Sequence, residues 1–379
     1  MSWCTAAVLL AALACLDVTV AAPPLLDFTQ AERSAIAAHG PWPTRRASDR
    51  ANRVEGRPAA VAFGRSLFFD RTLSASGDLS CASCHDPARA FQDGRPVAQG
   101  AARGHRNTPS VLDAAQQRWF GWGGAHDSLW AASLAPLLSP DEMGGRVDAL
   151  ARHVRGRPDL VRGYRAALGP LPAVDEALLV GLAKALAAYQ ATLASPRTPF
   201  DYFRDALLRG DRQRAARYPS DAQRGLRLFI GEGRCAVCHA GPAFTNGEFA
   251  DIGLPFFLPG GGVDAGRQEG LARLQASRHN RLGHYNDAGV ADPRAVGTRH
   301  VVALHRNFGE FRVPGLRGLV HSAPYMHDGS KPSLEDVVRH YSELDEERLH
   351  VDGERILQPL RLGPEQAADV VAFLRSLSR

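Results

Sequence analysis

Apolar positions along the chain fall on helical spacings far more often than on alternating ones. "GRSLFF" (64–69) and "GLRLFI" (225–230) each close an amphipathic run. The second run opens with Ser220 and Gln223 at the spacing of a capping box. The stretch 173–195 reads as one long helix. In the last run, 364–377, Ala367, Val370, Val371, Leu374 and Leu377 share a face. Leu334, Val337, Val338 and Tyr341 share another, behind Ser333 in capping position. Gly/Pro-rich loops such as "LPFFLPGGGVDAG" (254–266) separate these runs, and no series of alternating strands occurs. The expected class is mainly α.

Composition adds two things to that picture. A chain of 379 residues exceeds one small core, so two domains are the default. The net charge of +5 rests on arginine, since only Lys184 and Lys331 are lysines. Those arginines are interspersed with acids rather than gathered into a block, and no nucleic-acid partner is expected. The N-terminus differs: "AAVLLAALAC" (6–15) is a short apolar core followed by small residues up to Ala22. This predicts a signal peptide over 1–22 and export to the periplasm. The run is too short for a mature transmembrane helix.

Export changes the meaning of the cysteines. Of six, Cys4 and Cys15 leave with the signal; Cys81, Cys84, Cys235 and Cys238 remain, all within "CASCH" and "CAVCH". A zinc site would need four ligands closed around one ion, so the two distant runs would have to meet. A redox dithiol has no use for the histidine that follows. Covalent haem c uses every residue, with two thiols forming thioethers and the next imidazole reaching iron. Two such runs, consuming every remaining cysteine, point to two haems with His85 and His239 as axial ligands. The chain then divides into two cytochrome c-like haem domains, 23–215 and 216–379.

"DLSCASCHDPARAFQDG", "RNTPSVLD", "GRCAVCHAGPAFTN" and "APYMHDGS…LEDVVRHY" together resemble the bacterial dihaem cytochrome c peroxidase/MauG superfamily over roughly residues 55–379. "WFGWGGAHDSLWAASLAPLLSPDEMGG" and "HYSELDEERLHVDGERIL" are most similar to its MbnH branch. The resemblance implies a peroxide site at the first haem and a second haem that stores an oxidising equivalent. Trp122 matches the bridge between them, where an oxidisable indole divides one slow electron jump into two; the plain alternative is core packing. Pro136 and Glu142 match distal residues above the peroxide haem, the carboxylate moving a proton between peroxide oxygens. Ala132 stands where a distal glutamine is common. Gln99 stands where many members carry a blocking histidine, and His105 does not match that position, so the first iron is expected to be open.

For the second haem, Met326, His340 and Tyr341 are candidates. The family pattern places the sixth ligand fourteen residues after His327, at Tyr341. An anionic oxygen favours higher iron oxidation states, whereas a thioether favours ferrous iron. The resemblance also implies one calcium ion, held by Asn107 and by carbonyl oxygens of Ser322 and Pro324. The function it implies is a peroxide-dependent enzyme whose high-valent dihaem state oxidises an aromatic residue, tryptophan foremost, of a small MbnP-like periplasmic protein. The second reading is a cytochrome c peroxidase drawing electrons from a small redox protein, and the third is a dihaem electron carrier.

Overall fold

The computed structural model describes residues 25–44, 48–353 and 356–379; the expected signal peptide, 1–22, lies outside them. The chain is mainly helical. Its one ladder among the described residues pairs Phe249–Ala250 with Phe311–Arg312, antiparallel.

Two apolar cores organise the helices. The first surrounds Asp175–Gln190, in which every residue from Leu178 to Gln190 is buried. A helix apolar on all sides must be covered on all sides. Pro58–Phe68, Leu129–Leu138, Val147–Gly156 and Pro158–Leu168 supply that cover. The second core centres on Ser220–Ile230 against Pro364–Arg375, with Leu334–Ser342 alongside.

These cores draw on interleaved stretches of chain. Phe28, Ile36, Phe200 and Phe203 pack into the second core, although they precede Ser220–Ile230 in sequence. Conversely, Tyr285 packs against the first core. Arg281, buried, pairs with Asp49 and with Asp292, the latter at 2.8 Å. A buried guanidinium needs such partners to offset its lost hydration.

The repeat seen in "GRSLFF" and "GLRLFI" recurs as packing. A Cβ on Gly64 would lie 1.9 Å from the Ala185 carbonyl oxygen, and one on Gly225 would lie 1.9 Å from that of Asp369. Each glycine thus lets its helix cross a second helix at backbone contact. One turn on, Phe68 meets Tyr189 edge-on at 5.3 Å and Phe229 meets Phe373 at 4.9 Å. The same crossing has been built twice. Gly225→Ala is expected to destabilise the second core by about 1–3 kcal/mol, since backbone cannot move aside cheaply. Gly156, a helical glycine with nothing near its Cβ position, is the control: its alanine variant should change stability by less than about 1 kcal/mol, in the favourable direction. Urea titration of both variants measures the contrast.

Helix starts were partly legible. Ser333 caps Leu334–Ser342 by accepting from the Asp336 amide at 3.1 Å. Ser220 does not cap: it is the first helical residue, behind Pro219. Gln223 is buried instead, donating to the Tyr218 carbonyl and accepting from the Leu26 amide, both at 2.8 Å. A tertiary contact has taken the side chain that the capping box would have used.

Candidate functional site

Each Cys-x-x-Cys-His run forms a short helical turn that leaves its histidine at the exit. Cys81–Cys84 is one α turn with His85 as its C-cap, and Cys235–Val237 is a 3-10 turn ahead of Cys238 and His239. No disulfide joins Cys81, Cys84, Cys235 or Cys238.

The two imidazoles are oriented alike. His85 Nδ1 lies 3.1 Å from the Phe91 carbonyl, and His239 Nδ1 lies 3.0 Å from that of Phe244. A carbonyl only accepts, so Nδ1 carries the proton and Nε2 keeps its lone pair for a metal. Burial lowers both imidazole pKa values and keeps the rings neutral. Both carbonyls come from phenylalanines in left-handed backbone, φ 60° at Phe91 and 55° at Phe244. Sequence reasoning missed these two residues; their signal was the Pro-Ala…Phe that follows each cysteine pair in "DPARAF" and "GPAF".

Above the second run lies a cavity of about 640 Å³, lined by Cys235, Cys238, His239, Met326, Val338 and Tyr341 among others. Burial raises the Tyr341 hydroxyl above its usual range. His340 is turned to another task, its Nε2 donating to the Ile252 carbonyl at 2.7 Å. Four polar atoms of residues lining this cavity are buried without a hydrogen-bond partner: Thr44 Oγ1, Gln92 Oε1, Arg312 Nε and His327 Nδ1. Burial alone lowers the Arg312 guanidinium to about 10, and Arg312 was not foreseen. Buried polar atoms left unpaired in this way are costly. A macrocycle carrying two carboxylates, tethered at Cys235 and Cys238, fits the cavity and its unpaired groups.

Trp122, Asn107, Ser322 and Pro324 also line this cavity. The Trp122 indole is buried and donates to the Asn107 carbonyl at 2.8 Å. It meets His327 edge-on at 6.4 Å, and His327 stacks on Phe311 at 3.4 Å. Asn107 takes a hydrogen bond path of its own, its amide donating to the His327 carbonyl at 2.7 Å and Nδ2 to the Arg95 carbonyl at 2.8 Å. That leaves Oδ1 as the oxygen donor of its side chain. Asn107, Ser322 and Pro324, far apart in sequence, thus line the same cavity.

Around the first run, Leu129–Leu138 buries Trp130, Ser133, Leu134 and Leu137 but leaves Ala132, Ala135 and Pro136 only half-covered. Those three share a helical face. Glu142 follows in the loop. It keeps solvent exposure yet sits in a concave position: crowding raises its carboxyl pKa, Asp141 raises it further, and a hydrogen bond from Ser139 opposes both. Its charge is felt by both Cys81 and Cys84, which places it beside the first run. Gln99 contributes its carbonyl near Cys84, with a sulfur–oxygen distance of 3.8 Å. His105 lies elsewhere, 3.5 Å from Asp264.

A family profile described as di-haem cytochrome c peroxidase matches residues 58–212. The chain is 34% identical over 359 residues to the methylamine utilization protein MauG of Methylorubrum extorquens, covering 94% of this chain and 88% of that one. It is 31% identical to the cytochrome-c peroxidase IdrP1 of a Pseudomonas species, covering 84% and 80%. Among solved structures, a MauG-like protein associated with microbial copper homeostasis superposes with TM-score 0.66 at 26% identity, covering 89% of this chain and 95% of that one. Paired haem-attachment runs, the helical fold and this degree of likeness agree: the chain belongs to the di-haem cytochrome c peroxidase/MauG family of oxidoreductases.

Proposed function

We propose that the chain is a periplasmic, MauG-type dihaem enzyme that uses hydrogen peroxide to oxidise a tryptophan of a partner protein. The observation that carries this reading is Tyr341, which lines the second cavity together with Cys235, Cys238 and His239. A phenolic oxygen there suits iron that must be held oxidised, and suits a ferrous electron shuttle poorly. The haems, when bound through Cys81, Cys84, Cys235 and Cys238, supply the two-electron oxidising chemistry of peroxide. The protein does the rest. His85 Nε2 and His239 Nε2 are aimed by the Phe91 and Phe244 carbonyls, and Glu142 holds and returns a proton above the first haem. Pro136 and Ala132, half-covered beside the first run, would leave room there for a small substrate once the haem is bound. Trp122, fixed by the Asn107 carbonyl, is the oxidisable group between the two sites.

Asn107 Oδ1 with the Ser322 and Pro324 carbonyls offers an all-oxygen set suited to calcium. An ion there would join the wall carrying Trp122 to the loop 322–324. Among the described residues no helix is long and apolar enough to cross a membrane.

The 31% identity to a cytochrome-c peroxidase favours a second reading, in which a small redox protein supplies the electrons. One experiment separates the two. The purified dihaem protein, peroxide and the product of a neighbouring gene are incubated, and the product is analysed by mass spectrometry. Oxygen gained at one tryptophan is the expected result. An unmodified product, with rapid oxidation of an added small cytochrome, would establish the peroxidase reading instead.

A further inference from the structure

Of the stretch "HYSELDEERLHVDGERIL", Tyr341, Ile356 and Leu357 line the haem cavity. His350 and Asp352 lie in the same stretch, and the fold brings them to His305 from a different loop. One ligand atom from each of the three lies within 4.8 Å of the other two. His305 Nδ1 already bonds Asp352 Oδ2 at 2.8 Å, and the His305 and His350 rings are 4.9 Å apart. His305 and Asp352 are exposed and His350 is half-buried.

The arrangement is held from behind. The His350 amide donates to Asp251 Oδ2 at 2.7 Å, and the second Asp251 oxygen accepts from the Gly253 amide at 2.9 Å. A turn closed by the Gly353 amide on the His350 carbonyl, 2.9 Å, folds Asp352 back beside His350. Ala250 and Ile252, flanking Asp251, line the second cavity. The cluster thus stands one residue layer outside the haem wall, anchored to it through Asp251.

We propose that His305, His350 and Asp352 form a site for a late first-row divalent cation, Cu²⁺ bound more tightly than Zn²⁺. Two imidazoles and one carboxylate make a borderline nitrogen-rich set, which suits these ions and not calcium. Bonds of about 2.0–2.1 Å to a tetrahedral ion put ligand atoms about 3.3 Å apart. His305 and Asp352, both exposed, are the side chains free to adjust toward that spacing. Three protein ligands leave at least one position for water or for a group from a docked protein.

The test uses the dihaem protein with no affinity-tag histidines, dialysed against Cu²⁺ or Zn²⁺ in excess Ca²⁺, with bound metal quantified. One equivalent beyond haem iron is expected. His305→Ala and His350→Ala should each weaken binding by at least about tenfold, and the double variant should lose it. His300→Ala, an exposed histidine outside the cluster, should bind as the parent does. Electron paramagnetic resonance of the Cu²⁺ form should show nitrogen couplings that vanish in the double variant, while haem absorbance is unchanged in all. No bound equivalent in the parent, or parent-like binding in the double variant, overturns the proposal.

Discussion

Glu142→Gln is expected to slow the reaction with peroxide by about 10²- to 10⁴-fold while both haems remain attached. Glutamine keeps the size of the side chain and its contact with Ser139 but cannot take up a proton. Cleaving peroxide unevenly requires a base that accepts a proton from one oxygen and returns it to the other. Glu142 sits beside the first haem-attachment run, placed for that task. The pH dependence gives the role a second readout. Crowding raises the Glu142 carboxyl pKa, so its base form is lost at a higher pH than for an exposed glutamate. The parent rate should fall as pH drops through that raised value, and the variant rate should be flat there. Stopped-flow absorbance across pH measures both. A parent-like rate and acid limb in the variant would move proton handling to water in the space beside Ala132.

Tyr341→Met should separate MauG-type from peroxidase-type behaviour. On the proposed reading it replaces a hard oxygen ligand with a soft thioether, which stabilises ferrous iron and raises the reduction potential of the second haem. Axial ligation tunes such potentials over roughly 0.8 V. A rise of only about 0.1 V is about 2.3 kcal/mol per electron, which disfavours the oxidised site about fiftyfold. Partner oxidation should fall accordingly while peroxide still reacts at the first haem. Tyr341→Phe, which removes the oxygen and adds no donor, should change the spin state of the second haem. Spectroelectrochemistry and magnetic circular dichroism read these outcomes. Unmoved spectra and potential in both variants would return the ligand question to Met326, which lines the same cavity.

What the sequence made legible was local or repeated. The two haem runs, the paired glycine helices and the face carrying Tyr341 are written as spacing, and spacing survives folding. His340, adjacent to Tyr341, is separated from it by helix geometry alone, and the structure engages it with Ile252. The missing parts are contacts whose partners lie far away along the chain. Gln223 has helix-capping chemistry at the right offset, yet Leu26 claims it. Arg312 reads as one arginine among many until its burial and its unpaired Nε place it on the cavity wall. Phe91 and Phe244 act through backbone carbonyls, so the repeated Pro-Ala…Phe marks their positions while only the left-handed φ shows their task. His305 meets His350 and Asp352 because two loops converge on Asp251.

The interleaving of the two cores constrains how the molecule is made. Phe28 and Ile36 belong with Leu226 and Phe229, and the ties across that gap are long. Leu26 reaches Gln223 over 197 positions, and Glu32 pairs with Arg227 over 195. During synthesis the earliest of these segments must wait, apolar face uncovered, for residues translated much later. Pro364–Arg375, the wall opposite Gly225, arrives last of all. Closures of this length slow folding and leave surface open to chaperones. The first core meets its own main helices well before that. A nascent chain therefore passes through a stage with one core assembled and the other unclosed. Completion of the second core marks the arrival of the C-terminal helix.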